Sequence, residues 1–154
     1  MRTEHDKARI ELEVFEAFCA LSKLPITPLS VQKRFPPEPD IICELAGEGA
    51  VAFELVELCD KNWTQAMSMP ANKIPLYLRT SDPTSEIVCK KVTRSYPQRI
   101  PIELLCYTRQ RILTPSSLIY ETAIRDFLHD SGPFRRAWLL DRGRVHELWR
   151  SEAI

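Results

Sequence analysis

The sequence predicts an α+β (mixed α/β) fold, a single mixed β-sheet with flanking helices, in one domain over residues 1–154. Three observations predict it. Apolar runs of strand length at 41–46, 50–58 and 102–108 alternate with stretches whose apolar residues recur at helical spacing. Gly47-Glu48-Gly49 lies between the first two runs, as a tight hairpin requires. The 154 residues, 44% apolar and 27% charged, are enough to bury one core, and no repeat, low-complexity tract or linker divides them.

Taken in order, residues 4–22 read as an amphipathic helix. Thr3 and Asp6 have the spacing of a capping box, and Ile10, Val14, Phe15, Phe18 and Leu21 make the apolar face. Glu11, Glu13 and Glu16 decorate this helix and read as a solvated face. Pro25 and Pro28 end it and open a loop that runs to Pro39. After the hairpin, Asp60-Lys61-Asn62-Trp63 starts a helical segment with Trp63 and Met67 on one side, interrupted by Pro70 and Pro75. Asp82-Pro83-Thr84-Ser85 opens a second helix reaching Tyr96, apolar at Ile87, Val88 and Val92 and basic at Lys90, Lys91 and Arg94. Pro97 and Pro101 bracket a turn before the strand at 102–108. A helix at 116–131 is stopped by Gly132-Pro133, and 137–140 with 145–149 form a last hairpin across Asp141-Arg142-Gly143-Arg144.

The first hairpin carries the sharpest chemical signal. Asp40 follows Pro39 at the head of its first strand, while Glu54 and Glu57 lie inside the second, among Val51, Phe53, Leu55, Val56 and Leu58. A carboxylate in a buried strand is costly unless it is paired or coordinates a cation. Strand side chains alternate, so the register decides which acids meet. A three-residue connection at 47–49 pairs Ala46 with Ala50 and puts Asp40, Ile42 and Glu44 on one face with Glu54 and Val56. A two-residue connection, Glu48-Gly49, sets Asp40 opposite Glu57 instead. The register that joins Asp40 to Glu54 is the favoured one.

Charge and cysteine usage narrow the class. The formal net charge is zero, yet residues 1–60 hold 12 acids and 6 bases and residues 61–154 hold 9 acids and 15 bases. The bases concentrate at 90–111 (Lys90, Lys91, Arg94, Arg99, Arg109 and Arg111) against the single acid Glu103. Such segregation suits an acidic metal-binding centre beside a phosphate-contacting surface, and equally two solvated helices of opposite sign. Cys19, Cys43, Cys59, Cys89 and Cys106 are odd in number and show no Cys-x-x-Cys, so they read as reduced thiols. With no signal-peptide pattern and no apolar run near 18 residues, the expectation is a cytoplasmic protein without a membrane span. His5, His129 and His146 are not spaced as a metal or nucleophile set. Trp63, Trp138 and Trp149 read as core, and four glycines provide no phosphate-cradling loop.

Pro39-Asp40, a strand, a tight turn and then Glu54 in an apolar strand resemble the PD-(D/E)XK pattern of the restriction-endonuclease-like nucleases. The preceding helix with its glutamates, the hairpin, and the later helix and strand resemble that superfamily's αβββαβ core, over residues 5–140. The resemblance implies metal-assisted phosphodiester hydrolysis, with Mg²⁺ (or Mn²⁺) on hard oxygen ligands. It matches Asp40 to the family's aspartate and Glu54 to its second acid, with Glu13 or Glu16 of the first helix in the auxiliary acidic position. The family's lysine, two residues after the second acid, falls on Val56. Relocated candidates are Lys61, just past the strand, and Lys90 or Lys91 on the next helix. Glu57 leaves a second reading in which it meets the metal in place of Glu54.

The functional expectation is therefore a Mg²⁺-dependent nuclease acting on nucleic acid, with Lys90, Lys91 and Arg94 toward the phosphates. The alternatives are a non-catalytic relative serving as a protein- or nucleic-acid-binding, immunity-like module, and an unrelated α+β interaction protein. In the non-catalytic case Asp40 serves the head of its strand, and Glu54 pairs with a buried arginine such as Arg125.

Overall fold

The computed structural model describes residues 3–73 (the Trp63 side chain aside), 83–97, 99–112, 115, 117–119, 128–130 and 132–152. The chain opens with α1, Glu4–Ser22. The capping box forms as the sequence predicts: Thr3 Oγ1 accepts from Asp6 N at 3.0 Å while Asp6 Oδ2 accepts from Thr3 N at 3.1 Å. The helix ends at Lys23, whose φ of 60° takes the left-handed conformation that stops many helices. Its buried stripe is Ile10, Glu11, Phe15 and Phe18, whereas Leu21, expected on the apolar face, is exposed.

The expected loop to Pro39 contains a strand too short to show a period. β1 is Gln32–Lys33, paired antiparallel with β2, Ile41–Leu45. β2 pairs antiparallel with β3, Gly49–Glu57. The observed register sets Leu45 against Gly49 and Ile41 against Phe53. The connection is thus three residues long, as favoured, but at 46–48 rather than 47–49, and Ala46 does not pair with Ala50. At this turn Gly47 (φ 84°) and Gly49 (φ 91°) take left-handed conformations that would strain other residues. Parity is unchanged, and the two-residue alternative that set Asp40 opposite Glu57 is not the one formed.

α2, Lys61–Met67, starts where Asp60 Oδ1 accepts from Asn62 N at 2.9 Å. A 3-10 turn at Ala71–Lys73 follows. α3 is Thr84–Val92, one turn shorter than expected, because Tyr96 precedes Pro97 and a residue before proline is disfavoured in helix. β4, Ile102–Tyr107, runs parallel to β3, and β5, Arg136–Asp141, parallel to β4. β6, Arg144–Arg150, returns antiparallel across Arg142-Gly143, both at positive φ as a tight hairpin prefers. Of the helix expected at 116–131, residues 117–119 are helical and most of the rest lies outside the described residues.

Among the described residues the strands form one six-stranded mixed sheet in the order β1-β2-β3-β4-β5-β6, flanked by helices. This is the α+β class that the sequence predicts. Two cores sandwich the sheet. On one face Phe15 and Phe18 of α1 pack on Ile41, Phe53, Leu55, Leu105 and Trp138. On the other, Val88 of α3 packs with Ala52, Leu104, Ala137 and Leu139. The odd-numbered residues of β3 therefore face α1 and the even-numbered ones face α3. All five cysteines are free thiols, Cys43 and Cys106 buried. Among the described residues no helix is long and apolar enough to cross a membrane.

Candidate active site

Register alone begins the site. One step beyond the Ile41–Phe53 pair the ladder brings Asp40 level with Glu54. Asp40 Oδ2 accepts a hydrogen bond from Leu55 N at 2.8 Å, which holds its carboxylate against β3. Both acids are buried, Asp40 at 8% and Glu54 at 2% exposure.

Glu54 faces α3, and three donors converge on its Oε2. Tyr96 Oη donates at 2.8 Å, Arg94 Nη1 at 3.3 Å and Lys91 Nζ at 3.4 Å. The early end of α3 allows this: Lys91 reaches in from its last turn, while Arg94 and Tyr96 reach in from the segment that doubles back toward β4. Burial pushes the Glu54 carboxyl up to about 7, aided by its hydrogen bond with Asp40 and by the Asp40 charge, against Lys91 and Tyr96. Burial together with the Glu54 charge raises the Tyr96 phenol well above its ordinary value. Arg94 and Tyr96 also line a cleft of about 740 Å³, with Thr93, His129 and Arg135 among its other walls.

From the α1 side a different set meets Asp40. Glu11, 2% exposed, faces the Lys33 ammonium at 2.9 Å, and the same nitrogen lies 3.6 Å from Asp40 Oδ1. Lys33 Nζ also donates to the main-chain oxygens of Arg34 at 2.6 Å and Asp40 at 3.2 Å. Burial, then the Asp40 charge, raises the Glu11 carboxyl above the ordinary glutamate value, with Lys33 and Lys7 opposing. Asp40 thus joins two carboxylate–ammonium groups, one on each face of the sheet.

The other sequence-predicted residues lie as follows. Glu57 points to the opposite face from Glu54 and takes a two-pronged grip from Arg111, whose Nε and Nη2 donate at 2.7 Å each. Glu13 and Glu16 are exposed on α1, Glu13 paired with Arg9 at 2.9 Å. The acid of α1 that turns to Asp40 is Glu11, two residues before Glu13 and on the buried stripe. Lys61 is exposed at the start of α2 and lines a separate cleft with Cys59, Asp60 and Lys90. Lys90 is exposed and paired with Glu86 at 3.2 Å, whereas its neighbours Lys91 and Arg94 turn inward to Glu54. Val56, in the resembled lysine position, is packed in the α3-side core. Arg125, considered as a partner for Glu54, lies outside the described residues.

Sequence reasoning missed Lys33, Tyr96 and the inward turn of Glu11. A signal existed for Glu11, since it adjoins Ile10 on the stripe that Phe15 and Phe18 continue. None existed for Lys33 in a two-residue strand.

Asp40 and Glu54 are oxygen donors of the type that hard divalent cations take, though Glu54 already accepts from three donors. The two offer facing carboxylates, and burial first, then the Asp40 hydrogen bond and charge, raises the Glu54 carboxyl. Mg²⁺ commonly binds through one or two carboxylates, keeping waters and taking substrate phosphate oxygens as further ligands. Among the described residues no group of three or more His, Cys, Asp or Glu side chains is placed to hold a metal. A scan against protein-family models, a search of curated proteins and a search of solved structures each find no match for this chain.

Proposed function

We propose that this chain is a Mg²⁺- or Mn²⁺-dependent nuclease of the PD-(D/E)XK type, with the lysine supplied by Lys91 of α3 instead of from position 56. The observation that carries the reading is the meeting of Asp40, Glu54 and Lys91: two facing carboxylates with an ammonium 3.4 Å from one of them. The cation supplies Lewis acidity, making water nucleophilic at neutral pH and offsetting charge at phosphorus. The chain's own groups do the rest. Asp40, fixed by Leu55 N, and Glu54, fixed by Tyr96, set the direction of the ligand oxygens. Lys91 orients the attacking water and favours the ionised form of Glu54. Arg94, half exposed at the cleft wall, is placed to meet a phosphate arriving from solvent.

The test is Mg²⁺ and Mn²⁺ titration by calorimetry, wild type against Asp40→Asn, with a plasmid-nicking assay on the same samples. Binding and nicking in the wild type, both lost in the variant, are the expected result. One observation favours the non-catalytic reading: Glu54 already has three donors and almost no exposure. No cation binding at millimolar concentrations would select that reading.

A further inference from the structure

Lys33 is held by oxygen atoms on several sides. Its ammonium has four oxygens around it: Arg34 O at 2.6 Å, Glu11 Oε2 at 2.9 Å, Asp40 O at 3.2 Å and Asp40 Oδ1 at 3.6 Å. Two carboxylates and two main-chain carbonyls are the donors a hard cation selects. The side chain is only 13% exposed, so the charge lies inside the protein. Glu11 Oε2 is buried without a hydrogen bond of good geometry, facing this ammonium. A buried carboxylate left so is strongly destabilising unless a positive charge stands against it. Strand β1 places Lys33 there, paired with Ile41 immediately beside Asp40, and exposed Lys7 adds a second ammonium 3.8 Å from Glu11 Oε1.

We propose that the Lys33 ammonium is a built-in cation of the site. It stands where Glu11 and Asp40 would otherwise draw a second divalent ion, and so limits the chain to one divalent ion, on the Asp40–Glu54 side. The single-ion half of this statement rests on the metal-dependent reading above; the occupancy of the Glu11–Asp40 oxygens by Lys33 does not. Lys33 is accordingly a positioning residue. It fixes Asp40 from the α1 side and keeps the stoichiometry at one.

The experiment counts Mn²⁺ bound per chain, by electron paramagnetic resonance, in wild type, Lys33→Ala and Glu11→Gln/Lys33→Ala, with thermal melting of each. The expected counts are one, two and one. Lys33→Ala melts below wild type without metal and recovers on Mn²⁺ addition by more than wild type gains. Where the wild type binds one ion, a folded Lys33→Ala that also binds only one overturns the proposal, as does a wild type that binds two. A wild type binding none and Lys33→Ala binding one, lost again in the double variant, upholds Lys33 as the resident cation and removes the metal from Asp40–Glu54. If Lys33→Ala fails to fold at any Mn²⁺ concentration, acetylation of the wild type, mapped by mass spectrometry, decides. Lys33 protected both without metal and with the Asp40–Glu54 site saturated supports the proposal, and labelling that appears on Mn²⁺ addition overturns it.

Discussion

Lys91 Nζ lies 3.4 Å from Glu54 Oε2, across 37 residues of chain, so a helix brings an ammonium to a buried strand carboxylate. Val56 belongs to the core beneath α3, and the strand's alternation gives Glu54 and Val56 the same face. A helix crossing over that face can therefore deliver a lysine to Glu54 from above. Lys91 and Lys90 differ by about 100° around the helix axis, enough to send one to Glu54 and the other to solvent.

Replacing Lys91 tests this directly. On the proposed nuclease reading, Lys91→Ala is expected to lower single-turnover cleavage by roughly 10²–10⁴-fold, in the range of a positioned proton-transfer or water-orienting group. Lys90→Ala, changing an exposed ion pair, leaves the rate within about twofold. Equal rates in both variants would remove Lys91 from the reaction.

Glu54 makes stability depend on pH in a definite direction. Its carboxyl rises from 4.5 to about 7 on folding. A raised carboxyl contributes stability that is fully present below pH 4.5 and is lost as the pH climbs through about 7, because the folded state holds a proton that the unfolded chain releases. The size is of order 3 kcal/mol across that window. Urea midpoints measured from pH 4.5 to 8 should fall more steeply for wild type than for Glu54→Gln, and parallel curves would contradict the shift. On the proposed metal-dependent reading, saturating Mg²⁺ selects the ionised carboxylate and should flatten the wild-type curve.

Glu103 anchors the far side of the sheet. It is fully buried, accepting from Trp138 Nε1 at 2.7 Å and Arg135 Nε at 2.9 Å, with Arg136 Nε at 3.7 Å. Glu103→Ala removes the acceptor of buried Trp138 Nε1 and the carboxylate beside Arg136, while Arg135 keeps Glu48 at 2.7 Å, and is expected to cost about 3–5 kcal/mol in chemical denaturation. A loss below 1 kcal/mol would mean that water takes over the carboxylate's place.

Phe18 tests how far α1 depends on its aromatic contacts. It is fully buried, with ring centroids 5.8 Å from Phe15, 5.6 Å from Phe53 and 5.4 Å from Trp138. Phe18→Ala should destabilise by about 3–5 kcal/mol through lost burial and an incompletely closed cavity. Because α1 also carries Glu11, the same variant should weaken protection of Lys33 from amine-reactive labelling.

Much of the architecture was legible because short-range chemistry decides it. The Thr3–Asp6 box starts α1, the glycines at 47 and 49 turn the first hairpin, and Arg142-Gly143 turns the last. The meeting of Asp40 with Glu54 belongs here too, since a hairpin's parity follows from its turn and the alternation of its strands. Tertiary packing decided the remainder. Which glutamate of α1 turns inward depends on how Phe15 and Phe18 dock on the sheet, and that docking selects Glu11 over Glu13 and Glu16. Tyr96 and Lys91 reach Glu54 only because α3 stops at Val92 and lies across β3, over separations of 42 and 37 residues. Lys33 joins Asp40 through a two-residue strand with no periodicity of its own, formed because β2 offers it a partner. Turns and caps are local energies written in adjacent residues, whereas the charges around the two acids are brought together by the burial of apolar faces far from them in the chain.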